Sequence, residues 1–165
     1  MASAQTYIPI ATITASGSTT SVTFSSIPQT YTDLVIAGAF YETSSSNTSL
    51  QFNGDTGSNY SSTSLLGNGS TASSARVSNF AEMFWDRQGN ATGYGAGIAN
   101  IMNYSNTTTY KTVLLRYGYP STWTEADVGL WRNTSAITSI TILVGGGGAN
   151  LASSSTFTLY GIAAA

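Results

Sequence analysis

The candidates for acid–base chemistry in this sequence are two close pairs of acidic side chains. Glu82 and Asp86 lie on either side of Trp85, and Glu125 and Asp127 form the second pair. Two carboxyl groups are the minimum set for glycoside hydrolysis, in which they flank the scissile bond. Side chains two positions apart on a strand share a face, so Glu125 and Asp127 could converge. The alternative is that these acids are solvent-facing loop charges; we favour it and predict no catalytic residue.

A dense polar segment at residues 53–59 is the candidate for a metal site. Asp55, the Asn side chains and the backbone carbonyls of this segment offer the oxygen ligands that Ca²⁺ prefers. One carboxylate is too few for a tight site, however, and the Asn-Gly pair at residues 53–54 supplies positive φ angles for a tight hairpin turn. We therefore favour the turn, and we predict neither a metal site nor a cofactor.

The composition limits the chemistry that the rest of the chain could support. The 165 residues include no histidine and no cysteine, and only five basic and seven acidic side chains. Histidine is the usual general base near neutral pH and cysteine is the readiest nucleophile, so their absence argues against an enzyme. The net charge of −2 argues against nucleic-acid binding, which needs Lys and Arg to neutralise phosphates, and no basic run suggests a membrane surface site.

Aromatic residues are the most promising contact groups. The chain has three Trp and ten Tyr, which are enriched in interfaces because they combine a large apolar area with a polar tip. Tyr119 and Trp123 bracket a predicted loop, where burial within one chain is difficult. We predict that Tyr119, Trp123 and Trp85 form an interface or a surface on which sugars stack. The alternative is that these aromatics belong to the core and its rim.

The elements that must position these residues are strands. β-Branched, alternating segments recur along the chain, separated by clusters of Gly, Ser, Asn and Asp that form turns. The clearest predicted strands cover residues 7–14, 21–24, 33–40, 95–102, 112–117, 128–131, 137–143 and 156–160. No segment carries a convincing helical stripe, and residues 73–85 are the nearest candidate. This pattern predicts an all-β fold, a single antiparallel, jelly-roll-like β-sandwich over residues 7–165, preceded by an N-terminal arm at residues 1–6.

Three segments have distinctive sequences that occur in a recognisable order. In residues 22–36 a Phe and an Ile-Pro precede Tyr-Thr-Asp-Leu; residues 52–60 contain Phe-Asn-Gly-Asp and Asn-Tyr; residues 157–162 read Phe-Thr-Leu-Tyr-Gly-Ile. Together they resemble small virion structural proteins of tailed bacteriophages, whereas residues 66–94 show no such likeness. The resemblance implies a jelly-roll-like, oligomeric part of the phage particle, either a capsid decoration (cement) protein or a small tail or fibre component. It supplies no catalytic motif.

The resulting hypothesis is a cement protein, synthesised in the host cytoplasm and located on the capsid surface of the virion. It would bind the major capsid protein as a homo-oligomer, with a trimer expected, and would stabilise the shell by bridging neighbouring subunits. The arm at residues 1–6 could add a strand to a neighbour's sheet. The alternative is a tail-fibre or receptor-binding tail module that recognises host surface carbohydrate. Neither hypothesis involves nucleic acid or a membrane.

Overall fold

Short alternating segments separated by turn-forming residues fold as strands throughout the protein. The computed structural model describes residues 5–89, 93–119, 121–145 and 148–163. These residues form twelve strands: β1 (Tyr7–Thr14), β2 (Ser21–Phe24), β3 (Asp33–Phe40), β4 (Thr48–Phe52), β5 (Tyr60–Gly67), β6 (Ala72–Phe80), β7 (Met83–Asp86), β8 (Gly95–Ile101), β9 (Lys111–Tyr119), β10 (Trp123–Trp131), β11 (Ile140–Val144) and β12 (Thr156–Ile162).

The strands form two antiparallel sheets that pack face to face. The larger sheet has eight strands in the order β1-β12-β3-β8-β9-β10-β5-β6, and the smaller has four in the order β2-β11-β4-β7. Neighbouring strands pair in antiparallel register in both sheets. The predicted all-β antiparallel sandwich is therefore confirmed.

The strand order favours the jelly-roll-like topology that the sequence predicts, but this part of the prediction remains an interpretation. The chain alternates between the two sheets along β1 to β4 and again along β7, β8, β11 and β12, so that β1-β12-β3-β8 and β2-β11-β4-β7 form the two layers of a frame. This alternation favours a pair of Greek keys, the arrangement of a jelly roll. Two hairpins, β5–β6 and β9–β10, are added to the frame and widen the larger sheet.

The core lies between the sheets and is built from inward-facing apolar side chains. On β3, Leu34, Ile36 and Phe40 are fully buried, and this strand lies between β12 and β8 in the larger sheet. Three aromatic rings surround Phe40, with centroids 4.7 to 5.1 Å from its own. Rings at this spacing pack favourably beyond the area that they bury. The most continuous apolar run in the sequence is thus the centre of the fold.

The segment nearest to a helical pattern, residues 73–85, forms most of β6 and the start of β7. All four residues of β7 are buried, and the strand packs against β10, β9 and β5 of the opposite sheet. β6 differs, because each of its residues is exposed except Val77, which is half-buried. It forms one edge of the larger sheet, and its residues are exposed on both faces of the strand.

The N-terminal arm falls mainly on residues 1–4, which lie outside the described residues. Gln5 and Thr6 are exposed. The Thr6 carbonyl accepts a hydrogen bond of 3.0 Å from the Ala163 amide, so the end of the arm that is described continues the pairing of β1 with β12.

Candidate functional site

The outer face of the larger sheet presents an apolar surface. Leu114 on β9 and Val128 on β10 are direct cross-strand neighbours, and Leu65 on β5 lies diagonally beside Val128, which pairs with Thr63. Leu114, Val128 and Leu65 are 43%, 51% and 63% exposed, respectively. Single exposed apolar residues are ordinary, whereas these three are neighbours on one face and form a continuous apolar surface. We call Leu65, Leu114 and Val128 the outer patch.

Two exposed arginines flank the outer patch. Arg116 pairs with Ala126, the residue opposite Leu65, and Arg76 on β6 pairs with Thr63. Arg76 and Thr63 also line a shallow cavity of about 280 Å³ that reaches Val128. The outer face therefore combines apolar and basic groups on rigid strands.

Tyr119 and Trp123 lie at the tip of the β9–β10 hairpin, where they form a cross-strand pair that ends one strand and begins the other. Their ring centroids are 6.0 Å apart, with the planes at 59°, and each residue is half-buried. The tip borders a cavity of about 450 Å³, which both residues help to line. We call this the tip cavity.

The tip cavity exists because one cross-strand row of the larger sheet is made of small residues. Ala96, Gly118, Thr124 and Gly67 occupy matching register positions on β8, β9, β10 and β5. They line the cavity together with residues 68–69 of the β5–β6 turn and residues 121–123 of the β9–β10 hairpin. The two hairpin ends thus lie on either side of a floor made of small residues.

Trp85 does not lie at the surface, so the prediction that it is an interface residue is wrong for this chain. Its side chain is fully buried, with ring centroids 5.1 Å from Phe40 and 6.1 Å from Phe157. The indole Nε1 donates to the Arg116 carbonyl at 3.1 Å. Gly97 on β8 makes room for the ring, because a Cβ there would lie 2.9 Å from that nitrogen. The glycines of β8, visible in the sequence, mark this close packing.

Acidic side chains from three parts of the chain meet between the sheets. Glu125 and Asp127 share the inner face of β10, as their spacing predicts, and each is 3% exposed. Asp86 and Glu42 are fully buried, and the charge of Asp86 interacts with those of Glu42 and Glu125. The interpretation of Asp86, Glu125 and Asp127 as solvent-facing charges is therefore wrong. We call Glu42, Asp86, Glu125 and Asp127 the buried carboxylate cluster.

Glu82 does not belong to this cluster, although the sequence places it beside Asp86. It is half-buried, and its Oε1 accepts hydrogen bonds from Asn47 Nδ2 at 3.2 Å and Ser49 Oγ at 3.3 Å. The sequence pair of Glu82 and Asp86 is thus separated, while the pair of Glu125 and Asp127 is kept.

Three carboxyl groups of the cluster, those of Asp86, Glu125 and Asp127, are only partly satisfied by hydrogen bonds. Asp86 Oδ1 accepts from the amides of Gln88 and Gly89 at 3.0 and 3.1 Å, and Glu125 Oε2 accepts from the Arg87 amide at 3.2 Å. The other oxygen of each is buried without a hydrogen bond, and neither oxygen of Asp127 makes one of good geometry, although Ser64 and Glu125 lie close enough to influence its pKa. An ionised carboxylate buried in this way is costly.

The environment therefore favours the protonated forms of these acids. Burial, with a contribution from Glu42, raises the pKa of Asp86 to about 7. Burial and the neighbouring charge of Asp127 raise the pKa of Glu125 to about 7. Burial likewise raises the pKa of Asp127 to about 6. The Arg87 charge opposes the last two shifts but does not cancel them.

The buried carboxylate cluster is not placed to act on an external substrate. Its carboxyl groups are at most 3% exposed, so a sugar has no route to them. In the part of the chain that the structure describes, no group of three or more Asp, Glu, His or Cys residues could hold a metal ion. What the cluster can do is change its charge as the pH changes.

The polar segment around Asp55 forms a turn. Asn53 and Gly54 have φ angles of 54° and 68°, and the Asp55 amide donates to the Phe52 carbonyl at 2.9 Å. Burial opposes ionisation of Asp55, but hydrogen bonds such as that from Trp131 Nε1, at 2.7 Å, hold its pKa below the usual value. The turn joins β4 to β5, which lie in different sheets, so the prediction of a turn is confirmed and that of a hairpin is wrong.

Comparison of the chain with protein-family models, with curated proteins and with solved structures found no match. Among the described residues, no helix is long and apolar enough to cross a lipid bilayer. The protein is therefore described by its structure alone: a β-sandwich with one widened sheet, an outer patch, a tip cavity and a buried carboxylate cluster.

Proposed function

We propose that this protein is a structural component of a bacteriophage virion: a capsid cement protein that binds the outer capsid surface as a trimer and stabilises the shell. Its partner would be the major capsid protein. The outer patch is the observation that supports a docking role, and the resemblance of three sequence segments is what points to a virion.

The outer patch has the properties of a docking surface. Leu65, Leu114 and Val128 project from three adjacent paired strands, so their backbone is already ordered before a partner arrives. Binding through such a surface avoids most of the entropy that a flexible loop would lose. Exposed apolar neighbours of this kind mark interaction sites more often than chance exposure does.

The segments that carry the resemblance lie in the frame of the sandwich. Residues 22–36 include the end of β2 and the start of β3, residues 52–60 form the turn between β4 and β5, and residues 157–162 lie in β12. Residues 66–94, which show no likeness, include β6 and β7. The likeness therefore covers parts of the frame, in β2, β3 and β12, but not its strand β7.

A trimer suits this role because three weak footprints on a shell act together. Once one subunit is bound, the others are held at a high local concentration near their own sites. β6, which is exposed on both faces and along its edge, is available for contacts between subunits. A free strand edge is a ready site for pairing with another chain.

The copy number in purified particles tests the proposal. Quantitative mass spectrometry should find the chain in amounts comparable with the major capsid protein. A copy number far below that of the shell subunits would contradict a cement role and favour the alternative, a tail-fibre or receptor-binding tail module that recognises host carbohydrate.

A pair of variants tests the surface that docks. Leu114→Asp places a charge in the outer patch and should greatly reduce binding of the purified protein to particles that lack it. Thr107→Asp adds the same charge at an exposed position of the β8–β9 connection and should bind as the wild type does. Equal binding of the two folded variants would contradict docking through the outer patch.

A further inference from the structure

We propose that a groove on the outer face of the larger sheet holds a basic side chain, a lysine or an arginine, of the partner that covers the outer patch. The groove has a volume of about 380 Å³ and adjoins the outer patch, because Leu114 belongs to both. The inference rests on the proposed function for the identity of the partner, and it names the chemistry that this partner presents. We call this cavity the side groove.

The side groove is lined by side chains that point away from the core. Leu34 and Ile36 on β3 are fully buried, so the side chains of Asp33 and Val35, which alternate with them, face outward. Residues that pair directly across strands share a face of the sheet. The outer face therefore includes Tyr7 and Ile162, in register with Asp33, and Asn100 and Leu114, in register with Val35.

The walls of the side groove suit a long aliphatic stem. Tyr7 on β1 and Met102, which follows β8, are 54% and 42% exposed on opposite sides of the groove. The Tyr7 ring packs edge-on against Tyr160, with centroids 6.2 Å apart, so this wall is ordered before a partner arrives. Val35 on the floor is only 5% exposed. Lysine and arginine cover apolar surface of this kind with their methylene groups while the charged end stays in a polar environment.

A carboxylate stands where the charged end of such a side chain would lie. Asp33 is the only charged residue among the described residues that line the side groove. Its Oδ1 accepts from the Asn103 amide at 2.7 Å, which fixes the carboxylate in place. A carboxylate has a second oxygen with which it can accept from a guanidinium or an ammonium group. The groove therefore matches a basic side chain better than an acidic or a purely apolar one.

The two arginines of the outer face are too distant to oppose this match. Arg116 is in register with the residue four positions beyond Asp33 on β3, with β8 lying between them. The two backbone positions are thus roughly 17 Å apart, which exceeds the screening length of about 8 Å at physiological ionic strength. Arg76 lies farther away, on the edge strand β6. The outer face is therefore basic at one end and acidic at the other.

The width of the outer face supports a footprint that includes the side groove. A partner that covered only the outer patch would contact three neighbouring strands, about 10 Å across. The distance from β5 to β1 spans seven strands, or about 29 Å. A patch of that width has the scale of a standard interface, which buries roughly 800 Å² on each partner.

Two variants change the side groove and keep the contacts of the fold. Asp33→Asn removes the charge and retains the acceptor for the Asn103 amide. Asn100→Phe places a larger side chain, suited to a strand, at a half-buried position of the lining and should fill the groove. The matched control is Glu82→Gln, which removes the same charge and keeps its Oε1 acceptor beside β4 of the smaller sheet.

The experiment is an NMR titration of the free protein with four acetylated and amidated tripeptides: Gly-Arg-Gly, Gly-Lys-Gly, Gly-norleucine-Gly and Gly-Glu-Gly. Each is added to about 50 mM, so that a dissociation constant of that order is visible. The Met102 methyl and Tyr7 ring signals report on the groove. At least one basic peptide should shift both signals saturably, the norleucine peptide should bind more weakly, and the glutamate peptide should not bind.

The variants should separate the charge from the groove itself. Asp33→Asn should weaken the basic peptide about two- to fivefold, as loss of an exposed ion pair does, and Asn100→Phe should abolish its binding. Glu82→Gln should bind as the wild type does. Circular dichroism checks the fold of each variant, and Asp33→Asn carries the test if Asn100→Phe does not fold.

The proposal is overturned if neither basic peptide binds, if the glutamate peptide binds as tightly, or if either folded groove variant binds as the wild type does. Groove signals that shift with protein concentration alone would assign the groove to a second copy of the chain and would also overturn it. Because the titration contains no particles, its failure is distinct from failure of the cement role, which Leu114→Asp tests. Peptide binding by a protein that does not bind particles would support the groove and contradict the cement role.

Discussion

The buried carboxylate cluster should make the protein less stable as the pH rises through the weakly acidic range. Burial raises the pKa of Asp86 from 3.8 to about 7, and the pKa values of Glu125 and Asp127 rise to about 7 and about 6. A carboxyl group with a raised pKa holds its proton more tightly when the protein is folded. Its loss of that proton therefore favours unfolding, so stability is greatest below the unfolded pKa and falls until the folded pKa is passed.

The pKa shift of Asp86 alone gives the size of the expected change in the free energy of unfolding. A shift of about three pKa units corresponds to about 4 kcal/mol once the pH exceeds the folded value. Between about pH 5 and about pH 8 the same group changes the free energy of unfolding by roughly 2–3 kcal/mol. Glu125 and Asp127 act in the same direction, but because they interact with each other their separate contributions do not simply add.

Urea unfolding followed by tryptophan fluorescence at about pH 5 and about pH 8 measures this difference. Asp86→Asn retains the Oδ1 acceptor for the Gln88 and Gly89 amides and removes the charge. The variant should be more stable than the wild type at the higher pH and should depend less on pH. Asp33→Asn is the control, since it keeps the acceptor for the Asn103 amide outside the cluster. A wild type that is as stable at the higher pH as at the lower one would refute the reasoning.

Two further predictions concern packing. Ile36 is fully buried on the central strand β3, so Ile36→Ala should lower the free energy of unfolding in urea by about 2–5 kcal/mol, and a loss below about 1 kcal/mol would show that the core is placed wrongly. At Gly95 a Cβ would lie 2.3 Å from the Tyr117 hydroxyl, which donates to the Phe40 carbonyl at 3.0 Å. Gly95→Ala should therefore cost about 1–3 kcal/mol, whereas Gly67→Ala, with its nearest atom 4.0 Å away, should cost much less; equal losses in thermal or urea unfolding would contradict this account.

The strands could be predicted from the sequence because local alternation reports which side chains face the core. β9 is the clearest case, with buried and exposed residues alternating along most of its length. β7 could not be predicted in this way, because all four of its residues are buried and a short continuous apolar run has no period. The partner of a strand is also not a local property. The Asn53-Gly54 turn was predictable, but its crossing from one sheet to the other was not.

The sites were less predictable than the strands because they depend on contacts that are distant in sequence. Glu125 and Asp127 could be paired by spacing, whereas nothing local indicates that Glu42 would join them. Trp85 illustrates the opposite error, since a large aromatic looks like a contact residue until the glycine opposite it is known. For Leu114 the sequence does contain a local signal. Residues 113–115 are all apolar, and because successive side chains of a strand face opposite sides, one or two of them must face outward.

Because most of the acidic side chains are buried, the net charge of the chain differs from the charge of its surface. Four of the seven acidic side chains lie in the buried carboxylate cluster, so the net charge of −2 is not the charge that a partner meets. On the outer face, Arg76 and Arg116 are exposed on either side of the outer patch. A partner surface that covers the patch would match it best with apolar side chains opposite Leu114 and Val128 and with carboxylates opposite the two arginines. Charges at the rim of an interface orient a partner and speed its association more than they add affinity. The apolar side chains of the outer patch would therefore supply most of the affinity, and the two arginines would orient the partner.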